Sequence, residues 1–142
     1  MKTSGKIGAM VAEIAALSAP SVESLGPILG AKLVKTKENR YFEFFELRGM
    51  KAPFGVCELR LSKDTPGKAL LVLNVAEDQV VDERDLSLDR YGAPARIDVN
   101  PDIPPEGTVA REFSIGSARV SFQMTANSGK LRLIAVEWGA GG

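Results

Sequence analysis

The densest group of side chains that could do chemistry is the acidic segment of residues 77–89, EDQVVDERDLSLD. It carries six carboxylates and a single basic residue, Arg84. Clustered carboxylates can hold a divalent cation, and two of them held about 5–9 Å apart can hydrolyse a glycosidic bond. A local excess of negative charge can also steer a basic protein toward its binding surface. The candidate residues are Asp82, Glu83, Asp85 and Asp89.

The spacing within the acidic segment favours binding over catalysis or metal coordination. The run DERD, residues 82–85, lacks the alternating Asp/Asn positions and the glycine of an EF-hand calcium loop. We therefore predict that the four candidate residues bind another protein, one of basic charge. We predict no catalytic residue, no cofactor and no metal site. The alternative for this segment is a solvated surface without a partner.

The remaining composition removes most familiar catalytic machinery. The chain has no histidine and a single cysteine, Cys57. This excludes Ser-His-Asp and Cys-His catalysis as well as His-based and Cys-rich metal sites. Neither the G-x-x-x-x-G-K-[ST] nor the G-x-G-x-x-G phosphate-binding pattern occurs. A small enzyme could use only carboxylates with an arginine such as Arg84, Arg90 or Arg96.

The charge balance argues against nucleic acid as a partner. Eighteen basic residues balance eighteen acidic ones, whereas nucleic-acid-binding domains carry a basic excess. The aromatic run RYFEFFELRG, residues 40–49, could stack bases. Glu43 and Glu46 interrupt that run and would repel phosphates. We predict that its aromatic side chains belong to the core.

The cysteine content and the hydropathy suggest a compartment. Cys57 shares one face of the strand FGVCELRLS with Leu59 and Leu61, which predicts a buried structural thiol. A chain without an internal disulfide fits the cytoplasm, and the periplasm is the alternative if a signal peptide has been removed. No run approaches the 18 apolar residues that a membrane-spanning helix needs, so we predict no transmembrane segment.

Two helices are predicted at the amino end. In residues 5–18, apolar side chains recur at helical spacing, and Pro20 ends the pattern. A second helix is expected to begin at Ser21 and to close at Gly30. The alternative for residues 1–19 is a processed secretory segment, since a basic start is followed by small residues near Ala19.

From Leu33 onward the hydrophobic period changes to two, which is typical of strands. The runs AKLVKT, RYFEFFELRG, FGVCELRLS and ALLVLNVA are separated by turn residues. The last of them is nearly all apolar, as expected for a strand buried on both faces. Residues 93–107 hold four of the eight prolines and are predicted to form a loop, an edge segment or a stiff crossover. VAREFSI and ARVSFQMT form a hairpin around Gly116-Ser117, and KLRLIAVEW is the last strand.

These elements predict an α+β fold with two amino-terminal helices packed on a mostly antiparallel sheet of about six or seven strands. A chain of 142 residues suits a single domain, 1–142, with a helical segment of about 5–30 and a sheet of about 31–138. Trp138 near the end of the last strand is expected to cap the core.

A well-formed sheet that displays little chemistry favours a non-catalytic protein-binding domain. We expect an inhibitor, an immunity-type protein, or a chaperone or adaptor. The alternative is a structural or assembly subunit of a bacterial envelope or phage-like complex, which would form a homo-oligomer through an unpaired edge strand. A small carboxylate-based enzyme is the further alternative, and it requires two acids that face one pocket.

Overall fold

A computed structural model describes residues 6–82, 86, 88–100 and 107–139. Two helices come first, α1 (Lys6–Ala15) and α2 (Val22–Leu29). Eight strands follow: β1 (Lys32–Glu38), β2 (Phe42–Arg48), β3 (Phe54–Ser62), β4 (Ala69–Val75), β5 (Arg96–Asn100), β6 (Thr108–Ile115), β7 (Ala118–Thr125) and β8 (Leu131–Trp138). A short 3-10 helix, Leu88–Tyr91, lies between β4 and β5. Neither α1 nor α2 has the length and apolar content that crossing a membrane requires.

The second helix has the ends that the sequence predicts. Ser21 is the N-cap: its side chain accepts a hydrogen bond from the Ser24 backbone, and the Ser24 side chain accepts one from the Ser21 backbone. This reciprocal pair satisfies donors that the first turn would otherwise leave without partners. Gly30 closes the helix in the left-handed region, with φ of 62°, where glycine has no Cβ to clash.

All eight strands form one antiparallel sheet in the order β1-β2-β3-β4-β8-β7-β6-β5. The chain builds the sheet from one edge, β1, to the centre at β4, and then crosses to the other edge to form β5. It returns strand by strand until β8 closes against β4. The α+β class and the helices on one face are confirmed, but the sheet has eight strands rather than six or seven.

The additional strand is β5, within the proline-rich region that we expected to be a loop, an edge segment or a crossover. All five of its residues are exposed. The run RIDVN alternates polar and apolar residues as a strand does, but it is only five residues long between Pro94 and Pro101, so the sequence does not separate it from a loop. It is an edge strand, where prolines close to either end are tolerated.

One face of the sheet carries the core. Val11 and Ile14 of α1 and Leu25 of α2 are fully buried with the inward side chains of the strands. The two helices are too small to cover this face alone: ten residues of α1 span about 15 Å, whereas eight strands span about 34 Å. The chain between β4 and β5 completes the cover, since Val81 and Leu86 are buried in the same core cluster.

Tyr91 connects this crossover to the sheet and to helix α1. Its ring lies 5.4 Å from that of Phe113 on β6 and 5.8 Å from that of Phe122 on β7, between ring centroids. Its hydroxyl donates a hydrogen bond of 2.5 Å to the Gly8 carbonyl of α1. The crossover therefore runs over the helix side of the sheet. The expected crossing role therefore belongs to the segment between β4 and β5, most of which precedes the proline-rich stretch.

The opposite face of the sheet is the open face, and no described helix packs on it. Burial alternates along β4, where Leu71 and Leu73 are buried while Leu70 and Val72 are half-buried. The expectation that this strand is buried on both faces is therefore wrong. Helices cover its inward side chains, and only neighbouring side chains shield its outward ones.

Candidate functional site

Most of the predicted acidic site lies outside the described residues. Glu83 and Asp85 are among the residues that the structure does not describe, and the same holds for the side chain of Asp89 on the 3-10 helix. Asp82 is half-buried and forms an isolated antiparallel bridge with Lys130. The grouping of these four carboxylates into one surface therefore remains a prediction.

The acidic segment also has an apolar side that the reading of its charges missed. Val81 is 4% exposed and Leu86 is fully buried. Val81 is held at the sheet, since its carbonyl accepts a hydrogen bond of 2.8 Å from the Leu131 backbone. The segment is therefore anchored in the core at these points. The interruption of its acids by Val81, Leu86 and Leu88 was the available signal.

The open face carries a cluster of apolar side chains at the middle of the sheet, which we call the central patch. It consists of Leu70 and Val72 on β4 and Leu133 and Ala135 on β8. Val72 lies directly opposite Ala135 in the β4–β8 register, and all four side chains are half-buried. Opposed apolar pairs of this kind stabilise adjacent strands. They also leave an apolar surface on the side that no described helix covers.

Charged side chains of both signs border the central patch on its β3 side and at one end, and Ser121 and Gln123 border it on β7. On β3, Glu58 lies opposite Val72 and Arg60 lies opposite Leu70. Glu58 and Arg60 form an ion pair of 2.7 Å along the same strand face. On the other side, Glu137 of β8 lies opposite Arg119 of β7. The surface thus has an apolar centre and a mixed charged rim, the anatomy of protein–protein interfaces.

Phe44 on the open face shows how charged side chains shield apolar surface there. Phe44 of β2 is only 9% exposed although it lies opposite the helix side. Lys37 Nζ lies 4.9 Å and Arg60 Cζ lies 5.4 Å from its ring centroid. Cations at these distances are attracted to the face of the ring. The expectation that the aromatics of this run are core is confirmed for Phe45, which packs against the core, and wrong for Tyr41, which is 54% exposed. Phe44 is buried, but charged side chains supply its cover.

A groove with a volume of about 630 Å³ lies at one end of the central patch, where β4 leaves the sheet. Leu133 belongs to both features, and Asn74, Gln123 and Lys130 add polar groups to the lining. Glu77 is the one carboxylate among the described residues that line the groove. The groove therefore lacks the paired acids that the carboxylate-enzyme alternative requires. Within the described ranges, no three metal-ligating side chains cluster.

A cluster of charged side chains lies where the chain turns from β1 into β2. Lys35 Nζ lies 2.7 Å from a carboxylate oxygen of Glu38 and 2.9 Å from one of Glu43, and Lys63 also pairs with Glu38. The hydrogen bonds from Lys35 and then from Lys63 lower the pKa of Glu38 to about 2. The depressed pKa therefore reflects local ion pairing on an exposed surface, and the cluster serves to hold the β1–β2 end in register.

Cys57 is the buried structural thiol that the sequence predicts. It is 1% exposed, and its Sγ lies 3.5 Å from the Gly55 carbonyl oxygen. Burial raises the pKa of the thiol, which disfavours the reactive thiolate. We expect a thiol reagent such as Ellman's reagent to leave Cys57 unmodified in the native protein and to label it fully in denaturant. Fast labelling without denaturant would contradict the buried position.

Comparisons with known proteins identify no family for this chain. Neither a protein-family model nor a curated protein matches the sequence. The structure is similar to the crystal structure of a DUF4309 family protein, YjgB, from Bacillus subtilis subsp. subtilis str. 168. The TM-score is 0.49 and the sequence identity is 10%, over 96% of this chain and 98% of that chain.

Proposed function

We propose that this protein is a small non-catalytic protein-binding domain whose partner docks on the central patch of the open sheet face. The observation that carries the proposal is the arrangement of that face. Four half-buried apolar side chains lie on the two central strands, with Glu58 and Arg60 beside them on β3 and Arg119 and Glu137 at one end. A partner that covers the patch would remove the apolar centre from water and leave the charges at the rim.

The shape and charge of this face favour a protein over other ligands. Small molecules bind in concave sites that enclose most of their surface, whereas the central patch lies on the face of a sheet. Nucleic acids need an excess of basic side chains, whereas Glu58 and Glu137 offset Arg60 and Arg119 around the patch. A protein with an apolar strip and charges of both signs would match the surface.

Among binding proteins, an inhibitor, an immunity-type protein or a chaperone or adaptor fits best. Each acts by presenting a preformed surface and needs no chemistry of its own. A sheet face is suited to this role, because its side chains are held by hydrogen-bonded strands and lose little conformational freedom on binding. The acidic segment, with Asp82 at its described end, remains a second predicted contact for a basic partner.

The proposal is tested by replacing Val72 with lysine and capturing partners from a lysate of the source cells. We expect the wild type to retain one protein in stoichiometric amount and Val72→Lys to lose it. With the purified partner, calorimetry is expected to show at least about 30-fold weaker binding, the loss typical of a central interface residue. Tyr41→Lys is the control, because Tyr41 is 54% exposed between β1 and β2, away from both the central patch and β5.

Three outcomes separate the alternatives. Retention of the partner by Val72→Lys would refute the central patch as the docking surface. Loss of the partner only when Asp82, Glu83, Asp85 and Asp89 are changed to their amides would place the contact on the acidic segment. Absence of any stoichiometric partner for the wild type would refute the binding function itself. Far-UV circular dichroism of each variant verifies that the fold is intact.

A further inference from the structure

The two edges of the sheet differ in how they are protected against pairing. The outer strand β1 carries Lys32, Lys35 and Lys37, and its register with β2 shifts between the last two. Lysines and bulges are the usual devices that keep an edge strand from pairing with another chain. At the other edge, β5 has no lysine and pairs with β6 over five consecutive residues without a shift. The structure describes no strand beyond it.

The side chains of β5 are sorted by face. Ile97 and Val99 lie on the helix side of the sheet and are 57% and 62% exposed. Arg96 and Asp98 lie on the open face, both exposed, with 3.8 Å between their charged atoms. The edge therefore offers two β-branched apolar side chains on one face and a cation and an anion on the other.

We propose that β5 pairs with β5 of a second copy of this chain, antiparallel and about a two-fold axis perpendicular to the sheet that passes midway between the two copies of Ile97. The two sheets then become one continuous sheet across the dimer. In this register Ile97 lies opposite the partner's Ile97, and Val99 lies opposite the partner's Ala95. Arg96 lies opposite the partner's Asp98, and the symmetry repeats this pair. A two-fold interface requires such a self-complementary surface.

The charges of β5 select this register over its neighbours. If the axis lay between the two copies of Asp98, two carboxylates would face each other. If it lay between the two copies of Arg96, two guanidinium groups would face each other. Like charges directly opposite each other destabilise a strand pair. With the axis at Ile97, Arg96 lies between two carboxylates, that of Glu112 on β6 and that of the partner's Asp98. A shift by one residue would instead place Ile97 on the charged face.

Charge reversal tests the pairing. We expect sedimentation equilibrium to show a concentration-dependent dimer for the wild type. Arg96→Asp is expected to weaken dimerisation at least about tenfold. The new Asp side chain would face the partner's Asp98, and the two-fold symmetry produces this repulsive pair twice. The double variant Arg96→Asp/Asp98→Arg should restore the dimer by exchanging the signs. A monomeric wild type, or a double variant no better than the single one, would overturn the proposal.

Cysteine cross-linking tests the register without changing any charge. Residues directly opposite in an antiparallel pair have Cα atoms about 4.5–5.5 Å apart, within the range of a disulfide. Ile97→Cys should therefore form a covalent dimer under mild oxidation. Val99→Cys, equally exposed on the same strand, should not, because the partner's Val99 is about 13 Å away in this register. Equal cross-linking of both variants, or of neither, would refute the arrangement.

The dimer proposal is independent of the docking proposal. Its variants lie on β5, whereas the central patch lies on β4 and β8. Loss of the dimer with retention of the binding partner, or the reverse, would distinguish the two.

Discussion

Replacing Trp138 with alanine is expected to lower the free energy of unfolding by about 3–5 kcal/mol, among the largest effects of any single change in this fold. Trp138 is fully buried at the end of β8. Its neighbours in register are Ala69 on β4 and Ala118 on β7, both of them buried. The small side chains of these two alanines leave space for the indole. They are too short to fill that space when the indole is removed. The variant would therefore contain a cavity in the core.

Trp138 also holds the helical layer to the sheet. Its Nε1 donates a hydrogen bond of 3.0 Å to the Leu17 carbonyl, just after α1. Trp138→Phe keeps most of the packing but leaves that carbonyl without this donor, so we expect a smaller loss of about 1–3 kcal/mol. Urea unfolding followed by far-UV circular dichroism measures both variants, because removal of the only tryptophan abolishes the fluorescence probe. A loss below about 1 kcal/mol for Trp138→Ala would contradict the packing described here.

Leu71→Ala on the central strand β4 is expected to destabilise the protein by about 2–5 kcal/mol. Leu71 is fully buried, with Leu59 of β3 and Val136 of β8 on either side in register. The adjacent Leu70 faces the open side of the same strand and is half-buried. Leu70→Ala is therefore the matched control, and we expect it to lose less than about 1.5 kcal/mol, since that side chain is only partly removed from water in the folded state.

The difference between these two leucine variants measures how the two faces of the sheet are covered. Equal losses in urea unfolding would mean that Leu70 is as well enclosed as Leu71, which would remove the basis for docking on the central patch. A large loss for Leu71→Ala alone would support one core and one open face. Measurement at low protein concentration keeps any self-association from contributing to the result.

The local elements could be predicted from the sequence because their signals are local. The cap at Ser21 and the left-handed Gly30 depend on hydrogen bonds and backbone freedom within a few residues. The hairpin turn at Gly116 and Ser117 depends likewise on adjacent residues. The inward position of Cys57 follows from alternation along one strand. All of these predictions are confirmed, as is the burial of Trp138.

The candidate site could not be predicted in the same way. Leu70 and Val72 read as core residues because a run of apolar side chains looks the same whether one face of a strand is covered or both. Whether a face is covered depends on where distant elements pack. The apolar side of the acidic segment was hidden for a related reason: the charges of the segment are evident in the sequence, whereas the burial of Val81 and Leu86 depends on where the crossover packs.

By itself, the sequence determined the fold class, the two helices with the caps of the second, and most of the strands, because hydrophobic periodicity, capping and turn chemistry act between near neighbours. Only the tertiary structure decided that β8 inserts beside β4, that β5 becomes the eighth strand at an edge, and that one sheet face stays open. Period-two alternation is the same whichever strand lies alongside. Which strands pair with one another depends on the apolar surface that the whole chain buries. That total cannot be read from the residues of any single strand.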